Sequence, residues 1–219
     1  MKSKLQTAAE AGGLVFVISA PSGTGKTTLV RGAMEQLPDL HFSISYTTRS
    51  PRANEGEGED YYFISPSIFQ KMVERGEFLE WAEVLGNRYG TTLASVSQLV
   101  SKGMDLILDI DTQGAKMVME KVDQTILIYI LPPSLEALRE RLVKRGLDSP
   151  EIIQLRLASA RKDMEEAHWY HYLIVNEKID DAIEKLKAII IAERCRKVKE
   201  SILGEKMREW EDHHGKNYC

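Results

Sequence analysis

The sequence predicts an α/β fold: a doubly wound, five-stranded parallel sheet with an inserted subdomain and a helical lid. Three observations predict it. Apolar runs of four to six residues recur along the chain, helical stretches separate them, and two polar segments interrupt the alternation. A run that is apolar at every position is buried on both faces, as strands of a parallel sheet are. Alternation of such runs with helices is the pattern of a doubly wound sheet.

The elements follow in order. Leu14-Val15-Phe16-Val17-Ile18 is the first strand, and a helix begins at Lys26. Phe42 to Ser45 is the second strand, Asp105 to Asp109 the third, Thr125 to Ile130 the fourth and Tyr172 to Val175 the fifth. A second helix starts near Gly114. A third follows Ser134, an N-cap residue, and stops at Gly146. The last runs from Ile179 to about Arg194, with Ile179, Ala182, Ile183, Leu186 and Ile190 on one face. Residues 46–97 break the rhythm with aromatic strand pieces, Tyr61 to Ile64 and Phe78 to Trp81, around a helix from Ser67 to Arg75. Residues 139–162 carry Arg139, Arg141, Arg145, Arg156 and Arg161, interrupted by Gly146 and by Ser149-Pro150, an N-cap and N1 pair. The chain is expected to form one domain over 13–196, with an insertion at 46–97, a lid at 139–160 and a charged tail at 197–219.

Composition narrows the functional classes. The chain has 219 residues and a net charge of −4, so a general nucleic-acid binder is disfavoured. Its most aromatic stretch, Tyr61-Tyr62-Phe63, is flanked by Glu55, Glu57, Glu59 and Asp60, which oppose a polyanion. Two cysteines, Cys195 and Cys219, are too few for a disulfide framework or a thiolate metal site. No run approaches the roughly 20 apolar residues of a membrane helix. A cytoplasmic protein without a membrane partner is expected; a homo-oligomer is left open.

Chemistry starts after the first strand. Ala20-Pro21-Ser22-Gly23-Thr24-Gly25-Lys26-Thr27 joins a strand to a helix, which is the setting of a phosphate-binding loop. Glycines let the backbone close on phosphate oxygens, and the amides of the helix start face the anion. Ser22, Gly23, Thr24, Gly25, Lys26, Thr27 and Thr28 are thus the expected ATP site. Lys26 reaches the β- and γ-phosphates and the Thr27 hydroxyl ligates Mg²⁺. Ala20 replaces the usual first glycine. The strand Leu106-Ile107-Leu108-Asp109 delivers a carboxylate to the same edge, where Asp109 would hold Mg²⁺ through water.

The acceptor is written in residues 45–63 and 78–91. Arg49 and Arg52, on a loop stiffened by Pro51, offer planar forks for a phosphate monoester. Tyr61 and Tyr89 add hydroxyls. Glu80, between Leu79 and Trp81, is a carboxylate in an apolar strand and needs donors. The N1–H and N2–H₂ edge of guanine supplies two, whereas adenine presents a lone pair. Such matching discriminates by roughly 10⁴-fold.

These motifs resemble the guanylate kinase family across about residues 13–196. The resemblance rests on the phosphate loop, Thr47-Thr48-Arg49-x-Pro51-Arg52 with Gly58-x-Asp60-Tyr61-x-Phe63, Phe78-Leu79-Glu80-Trp81-Ala82, Tyr89-Gly90-Thr91, Leu108-Asp109-Ile110-Asp111-x-Gln113-Gly114 and Ile174-Val175-Asn176. It implies transfer of the γ-phosphoryl of ATP, with Mg²⁺, to GMP and also dGMP. Ser45, Glu80, Thr91 and Asp111 would then surround guanine; Arg49, Arg52, Tyr61 and Tyr89 would hold the GMP phosphate; Asn176 would lie near adenine. Arg141, Arg145 and Arg156 match the family's lid arginines and, with Lys26 and Arg49, form the expected catalytic set. Thr91 stands where serine is frequent, and Asn54 where glycine is usual, a position Asn tolerates. Scaffold domains of this fold that lack catalysis typically lack the loop lysine or the lid arginines. A P-loop kinase for another small acceptor would not need Ser45, Glu80 and Thr91 together.

Overall fold

The computed structural model describes residues 12–214 except 53, 54, 85 and 147, so Asn54 and Cys219 lie outside it. Strand β1 (Val15–Ser19) is buried at all five positions, as its unbroken apolar run requires. Its side chains alternate between two cores. Phe16 and Ile18 join one under α1 (Lys26–Met34) and α7 (Ile179–His214). Val15 and Val17 join the other under α3 (Leu93–Val100) and α4 (Thr112–Lys121). With β2 (Leu40–Phe42), β7 (Asp105–Asp109), β8 (Ile126–Leu131) and β9 (Tyr172–Val175), β1 forms a parallel five-stranded sheet ordered β2-β7-β1-β8-β9. From β1 the chain crosses to the edge strand β2, returns to β7 beside β1, and then adds β8 and β9 on the other side. The switch point therefore falls at the C-terminal end of β1, where ligands of such sheets bind.

A second, four-stranded sheet comprises β3 (Ser45–Thr47), β4 (Tyr61–Phe63), β5 (Phe78–Val84) and β6 (Asn87–Thr92), in the order β4-β3-β6-β5. This corrects the expected second strand. Phe42 to Ser45 is not one strand: β2 ends at Phe42, the Ser43 amide makes one last bond to Ile107 O at 3.0 Å, and Ser45 begins β3 in the other sheet. Helix α2 (Pro66–Glu74) starts one residue earlier than expected, with Ser65 as its N-cap and proline at its first turn. Helix α3 is new relative to the sequence reading. Thr92 caps it, and Val96 and Val100 pack into the main core. The long α7 runs to His214, well past the expected end near Arg194.

Between β8 and β9 stand α5 (Leu135–Arg145) and α6 (Pro150–Glu165). Ser134 caps α5, Gly146 ends it in left-handed geometry at φ 66°, and Ser149 caps α6 ahead of Pro150, all as their residue types dictate. Leu138, Leu142, Ile153 and Ala160 lock the two helices into a separate small core.

Candidate active site

The phosphate loop leaves β1 and turns into α1 through Gly23 and Gly25, at φ 94° and 96°. Those angles are open to glycine and strained for other residues. Gly25 caps α1 without a side-chain bond, so the first-turn amides are left facing the cleft. The loop is braced from behind. The buried Thr24 hydroxyl donates to Pro21 O at 2.7 Å. Asn176 Nδ2 donates to Thr24 O at 2.7 Å, and Arg141 grips Thr24 O at 3.0 Å and Asn176 O at 2.9 Å. A Cβ on Gly25 would stand 2.9 Å from Asn176 Nδ2.

In front of the loop lies a cleft of about 520 Å³. It brings together Ser22 to Thr28, Ser45, Arg49, Arg52, Tyr61, Glu80, Tyr89, Asp109, Asp111, Arg145 and Arg156, from segments spread over more than 130 residues of sequence. Three expected residues do not line it. Thr91 is fully buried behind Ser45, its hydroxyl 3.3 Å from the Ser45 hydroxyl. Arg141 and Asn176, expected on phosphate and near adenine, both donate to Thr24 O of the loop, and Arg141 also donates to Asn176 O. Ala82, Val84, Asn87, Ser159 and Asp163 also line the cleft and are not among the expected residues. Asp163 sits on α6 facing this space. Burial, and then the charge of Asp111, push its carboxyl above the ordinary range.

Each cation of the cleft already meets a carboxylate. Lys26 pairs with Asp109. Arg49 donates from Nη2 to both oxygens of Glu55 at 2.8 Å, and its guanidinium lies 5.5 Å from the Tyr61 ring centre. Arg52 reaches the same carboxylate through its amide at 2.9 Å and Nη1 at 3.3 Å. Glu55 therefore occupies an anion position between the two arginines. Across the cleft, Arg145 and Arg156 share Asp148. Of these acidic partners only Asp109 was among the expected site residues; Glu55 and Asp148 were not. Glu55 lies between the two halves of the motif, three residues from Arg52, and reads in the sequence only as one of the acidic flanks that oppose a polyanion.

Glu80 is the exception. It is 2% exposed, and its Oε1 has no partner. The reason is a bulge: Phe78 pairs with Thr92 and Glu80 with Thr91, so Leu79 is an extra residue. Leu79 enters the main core and Glu80 stays buried beside it. Desolvation raises its pKa to about 7; Thr91 pulls it down and Asp111 pushes it up. The start of α4 closes on the other oxygen, since a Cβ on Gly114 would lie 2.5 Å from Glu80 Oε2. Asp111 caps that helix through Oδ1 to the Gly114 amide at 2.8 Å, as strand-end aspartates do. Burial also pushes the Tyr61 phenol up, so it remains a neutral donor.

A phosphate loop at the switch point, faced across one cleft by a second pair of arginines, defines a kinase of the P-loop class that holds two phosphate chains at once. The comparisons with known proteins carry this to a particular family. The guanylate kinase family model matches residues 13–193. The chain is 50% identical over 184 residues to the guanylate kinase of Geobacter metallireducens, covering 84% of this chain and 91% of that one. It is 43% identical over 199 residues to that of Clostridium perfringens, covering 90% and 92%. The crystal structure of guanylate kinase from Anaplasma phagocytophilum superposes with a TM-score of 0.69 at 34% identity, covering 84% and 87%. The chain belongs to the guanylate kinase family.

Proposed function

We infer that the chain transfers the γ-phosphoryl group of ATP directly to GMP, giving ADP and GDP. The observation that carries this is Glu80: a buried carboxylate with an unpartnered oxygen, in the cleft that also holds the phosphate loop and the Arg49–Arg52 pair. An unmet acceptor of this kind costs stability until a ligand brings donors. Guanine brings N1–H and N2–H₂; adenine does not.

The roles follow from the chemistry. The loop amides and Lys26 hold the β- and γ-phosphates of ATP. Arg49, Arg52, Tyr61 and Tyr89 hold the GMP phosphate, exchanging it for the Glu55 carboxylate. Ser45, Glu80, Thr91 and Asp111 surround guanine. Arg145 and Arg156 supply positive charge to the moving phosphoryl group, and closure excludes water. Arg141 and Asn176 support the loop from behind and flank the adenine end.

Mg²⁺ suits this site. Thr27 and Asp109 are hard oxygen donors beside the loop. Among the described residues, no three His, Cys, Asp or Glu side chains cluster as metal ligands. Bound together with ATP, the metal would take the Thr27 hydroxyl as a ligand and Asp109 through water. When bound, it would neutralise charge on the donor phosphates.

The domain division, with a GMP-binding insertion at 46–97 and a lid at 139–160, belongs to this proposal, as does a cytoplasmic location. No helix among the described residues is long and apolar enough to cross a membrane. The test is a substrate panel. Purified protein with ATP and Mg²⁺ is given GMP, dGMP, AMP or UMP, and ADP release is followed. Turnover with GMP, also with dGMP, and at least about 100-fold less with AMP is expected. No diphosphate product from GMP would instead favour a non-catalytic scaffold.

A further inference from the structure

The two lid arginines meet at a single carboxylate. Arg145, in the last turn of α5, donates from Nη2 to Asp148 Oδ2 at 2.7 Å. Arg156, in the middle of α6, donates from Nη2 to Asp148 Oδ1 at 3.1 Å. One oxygen serves each guanidinium, and the Asp148 side chain is only 9% exposed. Arg156 also donates from Nη1 to the Ser22 hydroxyl at 2.5 Å, so the assembly already touches the phosphate loop. Its Nε–H is buried and has no partner. A buried guanidinium donor left unmet is costly, and it is met when an anion arrives. Both arginines line the cleft.

We propose that Asp148 is a positioning residue that fastens Arg145 and Arg156 into one two-headed cation, so that both reach the transferring phosphoryl group as a unit. Two guanidinium groups brought together repel, and each has several rotatable bonds to immobilise. A carboxylate between them removes both difficulties before substrate arrives, leaving the arginine edges turned away from Asp148 for phosphate oxygens. Preorganisation of this kind acts on the transition state, where the charge moves, more than on binding of either nucleotide. Asp148 does not touch substrate in this scheme. Its partners sit three and eight residues away, on two different helices, so it also sets the spacing between them.

This inference rests on the reading of Arg145 and Arg156 as phosphate ligands. The experiment compares D148N, D148E, R145A/R156A and the triple variant D148N/R145A/R156A, measuring kcat, both KM values and thermal melting. D148N should lower kcat by about 10- to 100-fold, the scale of a misplaced catalytic group. KM for GMP should stay within about 2-fold, as expected for a site with its own arginines. D148E should recover part of the lost kcat. In the R145A/R156A background, D148N should cost less than about 2-fold, because nothing remains to position. If R145A/R156A keeps the original kcat, the reading of the lid arginines fails. If R145A/R156A loses kcat but D148N does not, the proposal alone fails. Equal cost of D148N in both backgrounds, or a kcat loss matched by loss of the folded state, marks a merely structural role and overturns it as well.

Discussion

If Glu80 reads guanine as proposed, it sets specificity against stability at a single residue. Its ordinary pKa is 4.5 and burial raises it to about 7. Between those two values the folded chain holds a proton that the unfolded chain has released. Stability therefore falls as pH rises through this window, and above pH 7 the full penalty is present. The separation corresponds to about 3 kcal/mol, an upper figure that relaxation of the site reduces. E80Q removes the charge but keeps the shape. Melting curves at pH 5 and pH 8 should show the original protein losing stability across that interval relative to E80Q. The same substitution should raise KM for GMP on the order of 100-fold and erode the preference over AMP, since an amide offers guanine one acceptor and one mismatched donor. KM of the unsubstituted enzyme for GMP should also climb as pH drops below 7, where Glu80 is protonated. A preference for GMP that survives E80Q at every pH would remove Glu80 from guanine recognition. The identity of this residue was legible in the sequence, a lone carboxylate between Leu79 and Trp81. Its cause was not: the bulge that buries it depends on pairing with Thr91 across the hairpin.

At the scale of elements, motifs that act through nearby residues were readable and long-range pairing was not. Ser134, Gly146 and Ser149-Pro150 mark helix ends by local hydrogen bonding, and each does so in the structure. Ser65-Pro66 carries the same signal as Ser149-Pro150 and starts α2 one residue ahead of the expected Ser67. The split of Phe42 to Ser45 into two sheets could not be read, because which sheet a short strand joins is decided by partners: Asp105 to Ile107 for β2, and Tyr89 and Gly90 for β3. The contact of Arg156 with Ser22, across 134 residues, was equally hidden; the carboxylate partners Glu55 and Asp148 lie only three to eight residues from their arginines, but acidic residues near arginines carry no signal of pairing by themselves. Helix α4 shows how an element conveys geometry to the site. Asp111 fixes its first turn, and that turn sets Gly114 against Glu80. G114A brings a methyl group to within 2.5 Å of Glu80 Oε2, closer than van der Waals contact allows. Glu80 is flexible enough to yield, so the melting temperature should change little, while KM for GMP rises by about 10-fold or more as the carboxylate is displaced. An unchanged KM for GMP in G114A would mean that Oε2 does not face the base.

For the whole molecule the decisive fact is that two sites of like charge demand lie in separate parts of the chain. The donor site is built on the five-stranded sheet and the acceptor arginines on the four-stranded one; the lid arginines belong to α5 and α6, which have a small core of their own. Each set of cations is held by its own anion: Glu55, Asp109 or Asp148. ATP and GMP would replace Asp109 and Glu55 with phosphates that must come within reacting distance of each other, while Asp148 keeps its two arginines together, and no single part of the fold surrounds both. Cations drawn toward the shared phosphates should therefore carry the 46–97 segment and the α5–α6 lid inward. A bisubstrate analogue that joins adenosine and guanosine through a phosphate chain should reduce the radius of gyration in small-angle scattering, and GMP or an ATP analogue alone should reduce it less. The size of the decrease should shrink in R145A/R156A, where the lid loses its attraction to the phosphates, and should hold in E80Q at saturating analogue, where only base recognition is weakened. Scattering curves that superpose with and without the bisubstrate analogue would mean that the cleft reacts in the open form. Exclusion of water would then have to come from the bound nucleotides themselves.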